Sequence, residues 1–177
     1  MLQQTLTQLE EVPKPAGLRC DVLVVNNHCT DRTSEVVASF RGALAIREVV
    51  EPTPGLSHAR NRALDTVTAD YVIWIDDDVL VDDAWLTAFV AAARTYPHAC
   101  AFGGPIDPWF VEPPDPRLLD AFPVLKTGFC GLDYGAADTS LAVSQPIFGA
   151  NMVFTRSAVG ALRFNGALGT VQGSGFG

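Results

Sequence analysis

Tyr71-Val72-Ile73-Trp74-Ile75-Asp76-Asp77-Asp78 is the stretch on which the reading of this chain turns. Its first five residues are apolar and rich in β-branched and aromatic types, with no polar alternation. That pattern predicts a strand buried on both faces, as in a parallel sheet covered by helices. The strand runs straight into three carboxylates. Three like charges in one loop are costly unless a cation offsets them. In extended geometry Asp76 and Asp78 point the same way, so both can reach one metal ion and the groups around it. The plainer alternative is a solvated loop that caps the next helix, but Asp82 and Asp83 already serve that purpose.

Asp21-Val22-Leu23-Val24-Val25-Asn26 is a second continuous apolar run of the same kind, and Ala45 to Val50 reads as a further strand. Between them Thr30 or Asp31 can cap a helix reaching Phe40, and Ser57 can cap another from His58 to Val67. Leu2, Leu6 and Leu9 recur at helical spacing over residues 2–11. Trp85, Phe89 and Ala93 share one face of a helix after Asp82-Asp83. Ala99 to Gly103 and Gln145 to Thr155 read as strands. Asp107 to Pro123, with five prolines, reads as a long irregular segment, and the last dozen residues as a glycine-rich end. Strands and helices alternate, so the expected class is an α/β sandwich with a mainly parallel sheet. Ligands bind such sheets at the carboxyl ends of the strands, which here carry Asn26-Asn27-His28 and Asp76-Asp77-Asp78.

Composition narrows the classes. The 177 residues are 48% hydrophobic and 18% charged, which suits one folded domain. The net charge is -8, and Lys14 and Lys126 are the only lysines, so no basic stripe exists for nucleic acid. An acidic chain that handles phosphates needs a metal ion or a few well-placed arginines. Cys20, Cys29, Cys100 and Cys130 form no close pair, so they read as reduced, buried or half-buried thiols rather than a zinc site. The N-terminus is not a signal peptide, and no stretch is long and apolar enough to span a bilayer. The expected location is the cytoplasm, or the inner face of the membrane.

Three further segments carry polar chemistry. The amides of Asn26 and Asn27 both donate and accept, which suits the edge of a pyrimidine base, although a turn with a helix cap needs them equally. Arg60 and Asn61 lie in the first turns of a helix after Pro54-Gly55, where an arginine can meet a phosphate; a solvated helix face is the alternative. Gly149 allows a bulge or the close approach of a ligand beside Asn151, and a plain strand kink explains it as well.

Taken together, VVNNHCTDRT (24–33), PGLSHARNRAL (54–64), YVIWIDDDVLV (71–81) and FGANMVFTR (148–156) resemble the family 2 glycosyltransferases of the GT-A fold. The ordered set is more specific than any one piece, and the resemblance spans the chain. It implies one GT-A domain over 1–177, with a nucleotide-binding half (1–105) and an acceptor-side half (106–177). It implies that Asp76 and Asp78 form the DxD motif and hold Mn or Mg. Asp76 and Asp77 would face the ribose and diphosphate of a nucleoside-diphosphate sugar. Asn26 and Asn27 would lie near the base, Arg60 and Asn61 at the edge of the nucleotide pocket, and Gly149 and Asn151 by the donor sugar and acceptor. The implied reaction is metal-dependent, inverting transfer of a sugar to a hydroxyl of a glycan, lipid or small-molecule acceptor.

Two departures from the family pattern matter. Members usually begin with a strand and carry a Gly-Glu-Asp-like motif, the source of the general base, after the segment resembling Phe164 to Gly169. The expectation is therefore a domain truncated at both ends, with its base beyond Gly177 and little turnover by itself. Within the chain Asp107 and Asp133 are the candidate carboxylates, with nothing around them to assign the role. Two rivals remain: a phosphotransferase of the haloacid dehalogenase type, which also places Asp-x-Asp after a buried strand, and a non-catalytic module that binds nucleotide sugar.

Overall fold

The computed structural model describes residues 1–42 and 44–168. Most of the glycine-rich end lies outside the described residues.

The first helix, α1 (Leu2–Glu11), buries Thr5, Leu6 and Leu9. Strand β1 (Asp21–Asn27) pairs in parallel with β2 (Ala45–Glu51), Asp21 opposite Ala45 and Asn27 opposite Glu51. Helix α2 (Thr33–Ser39) makes the crossover, and Asp31 accepts from the backbone N–H and hydroxyl of Thr33 at its start. Helix α3 (Leu56–Thr66) begins at Gly55, whose φ of 129° only glycine adopts readily. Ser57, expected as the cap, instead lies buried inside the first turn and donates to the carbonyl of Leu168. Strand β3 (Tyr71–Trp74) leads into the acidic residues, then come α4 (Trp85–Thr95) and β4 (Ala101–Gly103).

The segment from 107 to 123 is not wholly irregular. It contains α5 (Pro116–Leu125), with Pro116 in its first turn and the Asp115 side chain accepting from the Arg117 N–H. A first-turn proline loses no helical hydrogen bond, so the proline count misleads there. Beyond it, β5 (Met152–Thr155) precedes the short α6 (Arg156–Val159). The strand expected from Gln145 starts only at Met152, after a 3-10 turn at Gly149–Asn151.

The α/β class stands, and the pairing within it is more mixed than the alternation implies. Strand β5 lies between β3 and β4 and runs antiparallel to both, so β3 and β4 share a direction. Strand β5, from late in the chain, thus joins two earlier segments into one sheet.

One core joins both sheets. Leu6, Leu9 and Val12 of the first helical segment cluster with Val37, Leu44, Val81 and Leu86. Val22, Val24 and Ile46 from the parallel pair and Ile73 and Ile75 from the β3 segment pack against the same cluster. Fully burying one such side chain contributes about 1.5–3 kcal/mol. Of the four cysteines only Cys20 is half-buried. Cys29, Cys100 and Cys130 are exposed, because each sits in a loop rather than on a strand face, and all four are free thiols.

Helix α1 also carries polar anchors on its buried side. Thr5 donates to the carbonyl of Asp77 at 2.9 Å. The Gln8 amide meets both backbone groups of buried Val81, donating to its carbonyl at 2.6 Å and accepting from its N–H at 2.9 Å. Gln8→Ala strands those two groups and is expected to cost about 1–3 kcal/mol. A urea melt with an unchanged midpoint would contradict that role for Gln8.

Candidate functional site

The three carboxylates stand where β3 ends, and they do not continue it. The carbonyl of Asp76 accepts from the N–H of Val79 at 3.3 Å, which closes a turn through Asp77 and Asp78. The expectation that Asp76 and Asp78 align as alternate residues of an extended chain is therefore corrected. They lie on a turn instead, with Thr5 holding the Asp77 carbonyl within it and Gln8 holding Val81 just after it.

Asp76 is exposed along part of its surface, yet enough protein surrounds its carboxyl that burial raises its pKa above the usual aspartate value. Arg60 opposes that shift, and Asp78 and then Asp77 add to it by repulsion. The Arg60 guanidinium lies half-buried in α3. Burial lowers its pKa and Asp76 raises it, so the two groups sense each other across the site. Among the described residues neither Arg60 nor the carboxylate groups of the triple make a hydrogen bond or ion pair with another side chain. Arg62, two residues along the helix, is exposed.

The asparagines behave differently. Asn26 is buried; its amide donates to Ser34 at 3.1 Å and Glu48 at 2.8 Å and accepts from the N–H of Cys29. Asn27 donates to the carbonyls of Glu51 and Thr53 and accepts from the N–H of Gly55, tying β1 to the turn that starts α3. Asn61 exchanges two hydrogen bonds of 2.8 Å with the backbone of Phe164. Asn151 accepts from the Trp85 indole N–H and donates to the carbonyl of Pro105, both at 3.1 Å. Each amide meets protein partners, while Arg60, Asp76, Asp77 and Asp78 present unspent charge among the described residues. Gly149 lies against Arg60: a Cβ added there would run into the guanidinium.

The donor set is hard oxygen, which suits a magnesium or manganese ion. No group of three potential ligands converges among the described residues. An ion of this kind is commonly held by one or two carboxylates and completed by substrate phosphates and water, so the turn fits it without a closed cage.

The raised pKa of Asp76 has a measurable consequence. A carboxyl that holds its proton more tightly when folded makes stability fall as pH climbs from the unfolded value near 3.8 through the higher folded value. Burial and the neighbouring carboxylates thus disfavour the ionised form of Asp76 in the folded chain. Asp76→Asn is expected to raise the melting temperature in chelator-containing buffer at pH 7, with the gain vanishing near pH 3. A lower melting temperature at pH 7 would contradict it.

The contacts that Phe164, Thr5, Gln8 and Trp85 make around these groups escape a reading by sequence. The one local trace is the pair of polar residues three apart, Thr5 and Gln8, on a helix whose buried side is otherwise leucine.

Known proteins bear on this arrangement. The model of the glycosyl transferase family 2 matches residues 1–122. The succinoglycan biosynthesis protein ExoM of Rhizobium meliloti (strain 1021) is 33% identical over 104 residues, covering 58% of this chain and 34% of that protein. The glucosyl-dolichyl phosphate glucuronosyltransferase of Haloferax volcanii is 28% identical over 102 residues, covering 58% of this chain and 31% of that protein. The chain thus spans about a third of the curated relatives it matches. Among solved structures, S. aureus TarS 1-349 in complex with UDP-GlcNAc superposes with a TM-score of 0.54 at 21% identity, over 64% of this chain and 33% of that one. Glucosyl-3-phosphoglycerate synthase from Mycobacterium tuberculosis in complex with uridine-diphosphate gives 0.53 at 19% identity, over 88% of this chain and 53% of that one. At that identity the likeness establishes the GT-A fold.

Proposed function

Since the chain belongs to glycosyl transferase family 2, we propose that it builds the donor site of a metal-dependent transferase that moves a sugar from a nucleoside diphosphate to an acceptor hydroxyl. The observation that carries this reading is the half-buried Arg60, its donors unspent among the described residues, across from the Asp76–Asp78 turn. A diphosphate needs cations around it, and this acidic chain offers one arginine and a carboxylate turn that can recruit another. A bound divalent ion supplies charge neutralisation for the leaving diphosphate. Asp76 and Asp78 are its proposed ligands. Asp76 and Asp77 face the ribose and diphosphate, and Arg60 donates to a phosphate oxygen. The loop braced by Asn26 and Asn27 lies by the base, Asn61 lines the nucleotide edge through Phe164, and Gly149 and Asn151 border the sugar and acceptor.

In the proposed reaction the acceptor oxygen attacks the anomeric carbon as its proton passes to a carboxylate base. The bond to the diphosphate oxygen breaks, the diphosphate leaves with the electron pair, and the anomeric configuration inverts. The acceptor is a glycan, lipid or small molecule; the name of the Rhizobium relative makes a growing polysaccharide the first to try.

A second reading, donor binding without turnover, is supported by the two in-chain candidate bases. Asp107 pairs with Lys126 at 2.6 Å, and Asp133 accepts from the N–H of Gly135 at 2.7 Å. The same ion pair, with two strands before β3, argues against the dehalogenase-type alternative, whose lysine would have to be Lys126. Phosphorus NMR on the purified chain with UDP- and GDP-sugars separates the three. Manganese-dependent release of nucleoside diphosphate supports transferase chemistry, and donor binding without release supports the second reading. Cleavage of a simple phosphomonoester with the sugar donors intact would overturn both. Among the described residues no helix is long and apolar enough to cross a membrane.

A further inference from the structure

We propose that Phe164 is a positioning residue for Arg60, holding its guanidinium ready for the donor diphosphate, with Gly149 leaving the space the guanidinium occupies. This rests on the donor-site reading above and extends it to residues with no charge of their own.

The Arg60 guanidinium carbon lies 5.3 Å from the centroid of the Phe164 ring, within range of a cation–π contact. Phe164 is itself held in place. Its backbone exchanges two hydrogen bonds with Asn61, the next residue of α3, and Trp74 of β3 meets its ring edge-on at 6.1 Å. Helix α3 therefore grips residue 164 twice, by its backbone through Asn61 and by its ring through Arg60. The grip continues along the chain: Ser57 donates to the carbonyl of Leu168, and a Cβ on Gly166 would press on the imidazole of His58. The second constraint on Arg60 comes from Gly149, where any side chain would displace the guanidinium.

A guanidinium without a protein acceptor would ordinarily swing into water. A ring takes up its flat face and leaves its N–H donors, which lie in the plane, for an in-plane acceptor. An ion pair with a carboxylate would have consumed those donors. An aromatic partner orients the cation at less electrostatic expense, which matters because Asp76 is near enough to compete for it.

The test pairs a ligand titration with a signature that needs no ligand. UDP or GDP with manganese is titrated into the parent chain, and whichever binds is then titrated into Phe164→Leu, Phe164→Tyr, Gly149→Ala, Arg60→Ala and the Arg60→Ala/Phe164→Leu double variant. Phe164→Leu and Gly149→Ala should each weaken binding by about 5- to 30-fold, while Phe164→Tyr stays within about 2-fold because the ring remains. In the Arg60→Ala background Phe164→Leu should add nothing, since there is no cation left to orient. In parallel, the Arg60 Nε–H proton should resonate upfield under the ring current of Phe164, lose that shift in Phe164→Leu and keep it in Phe164→Tyr. An unshifted Arg60 signal in the parent, or a Phe164→Leu loss that persists in full without Arg60, overturns the proposal. If the parent chain binds neither UDP nor GDP, the donor-site reading fails, and the Arg60 resonance alone decides whether Phe164 orients it.

Discussion

Asp78→Ala is expected to abolish manganese-dependent UDP binding, a loss on the order of 100-fold or more, since a carboxylate ligand to a divalent ion is worth several kcal/mol. The environment singles out this carboxylate. Asp76 already feels Arg60 and sits under enough protein to hold its proton more tightly than usual. Asp78 lies exposed in the turn, with no cation paired to it among the described residues, and its repulsion of Asp76 is one reason that group is strained. An ion bound at the turn relieves both. Asp76→Ala should weaken binding less, because it removes a ligand and at the same time frees Arg60 from its competitor. Calorimetry returning the parent affinity for Asp78→Ala would remove the metal assignment.

The second large effect is at Arg60. Losing a charge-assisted hydrogen bond costs about 1.5–3 kcal/mol, or about 10- to 150-fold in affinity. Arg60→Ala should weaken UDP binding by that factor. The net charge of -8 makes this one cation matter more, because the surrounding field repels the ligand. Arg62→Ala should be close to neutral: two residues along a helix is a rotation of about 200°, and Arg62 is exposed where Arg60 is half-buried. Thermal melts of both variants separate folding from binding. Greater damage from Arg62→Ala, at an unchanged melt, would place the wrong face of α3 in the site.

The parts of the fold that were legible beforehand are those whose signal is local. Helix α1 follows from Leu2, Leu6 and Leu9, and β1 and β3 from apolar runs that need no knowledge of their partners. The insertion of β5 between β3 and β4 is another matter. Tyr71 pairs with Thr155 across more than eighty intervening positions, and a four-residue strand leaves no trace of its direction. Helix α5 was hidden by its prolines, of which Pro116 looks like a breaker until its place in the first turn is known, and Pro123 lies inside the helix. At the site, the carboxylate triple was legible because repulsion among neighbours is a property of the sequence itself. The amides were ambiguous for the opposite reason. Asn26, Asn27, Asn61 and Asn151 can serve a ligand or a backbone equally well, and only the positions of Glu48, Thr53, Phe164 and Pro105 show that they are engaged with protein. Phe164 gave no warning, since a phenylalanine near a glycine-rich end carries no sign that an arginine a hundred residues earlier rests on it.

Paramagnetic broadening reads out whether the Asp76–Asp78 turn and Arg60 together hold a metal–diphosphate pair. Amide and arginine side-chain spectra of the chain are recorded with sub-stoichiometric manganese, before and after UDP is added. UDP is expected to increase the broadening sharply, most strongly at Asp76, Asp77, Asp78 and the Arg60 side chain, and the effect is expected to be lost in Asp78→Ala. Broadening that ignores UDP, or that centres on residues away from this turn, would contradict it.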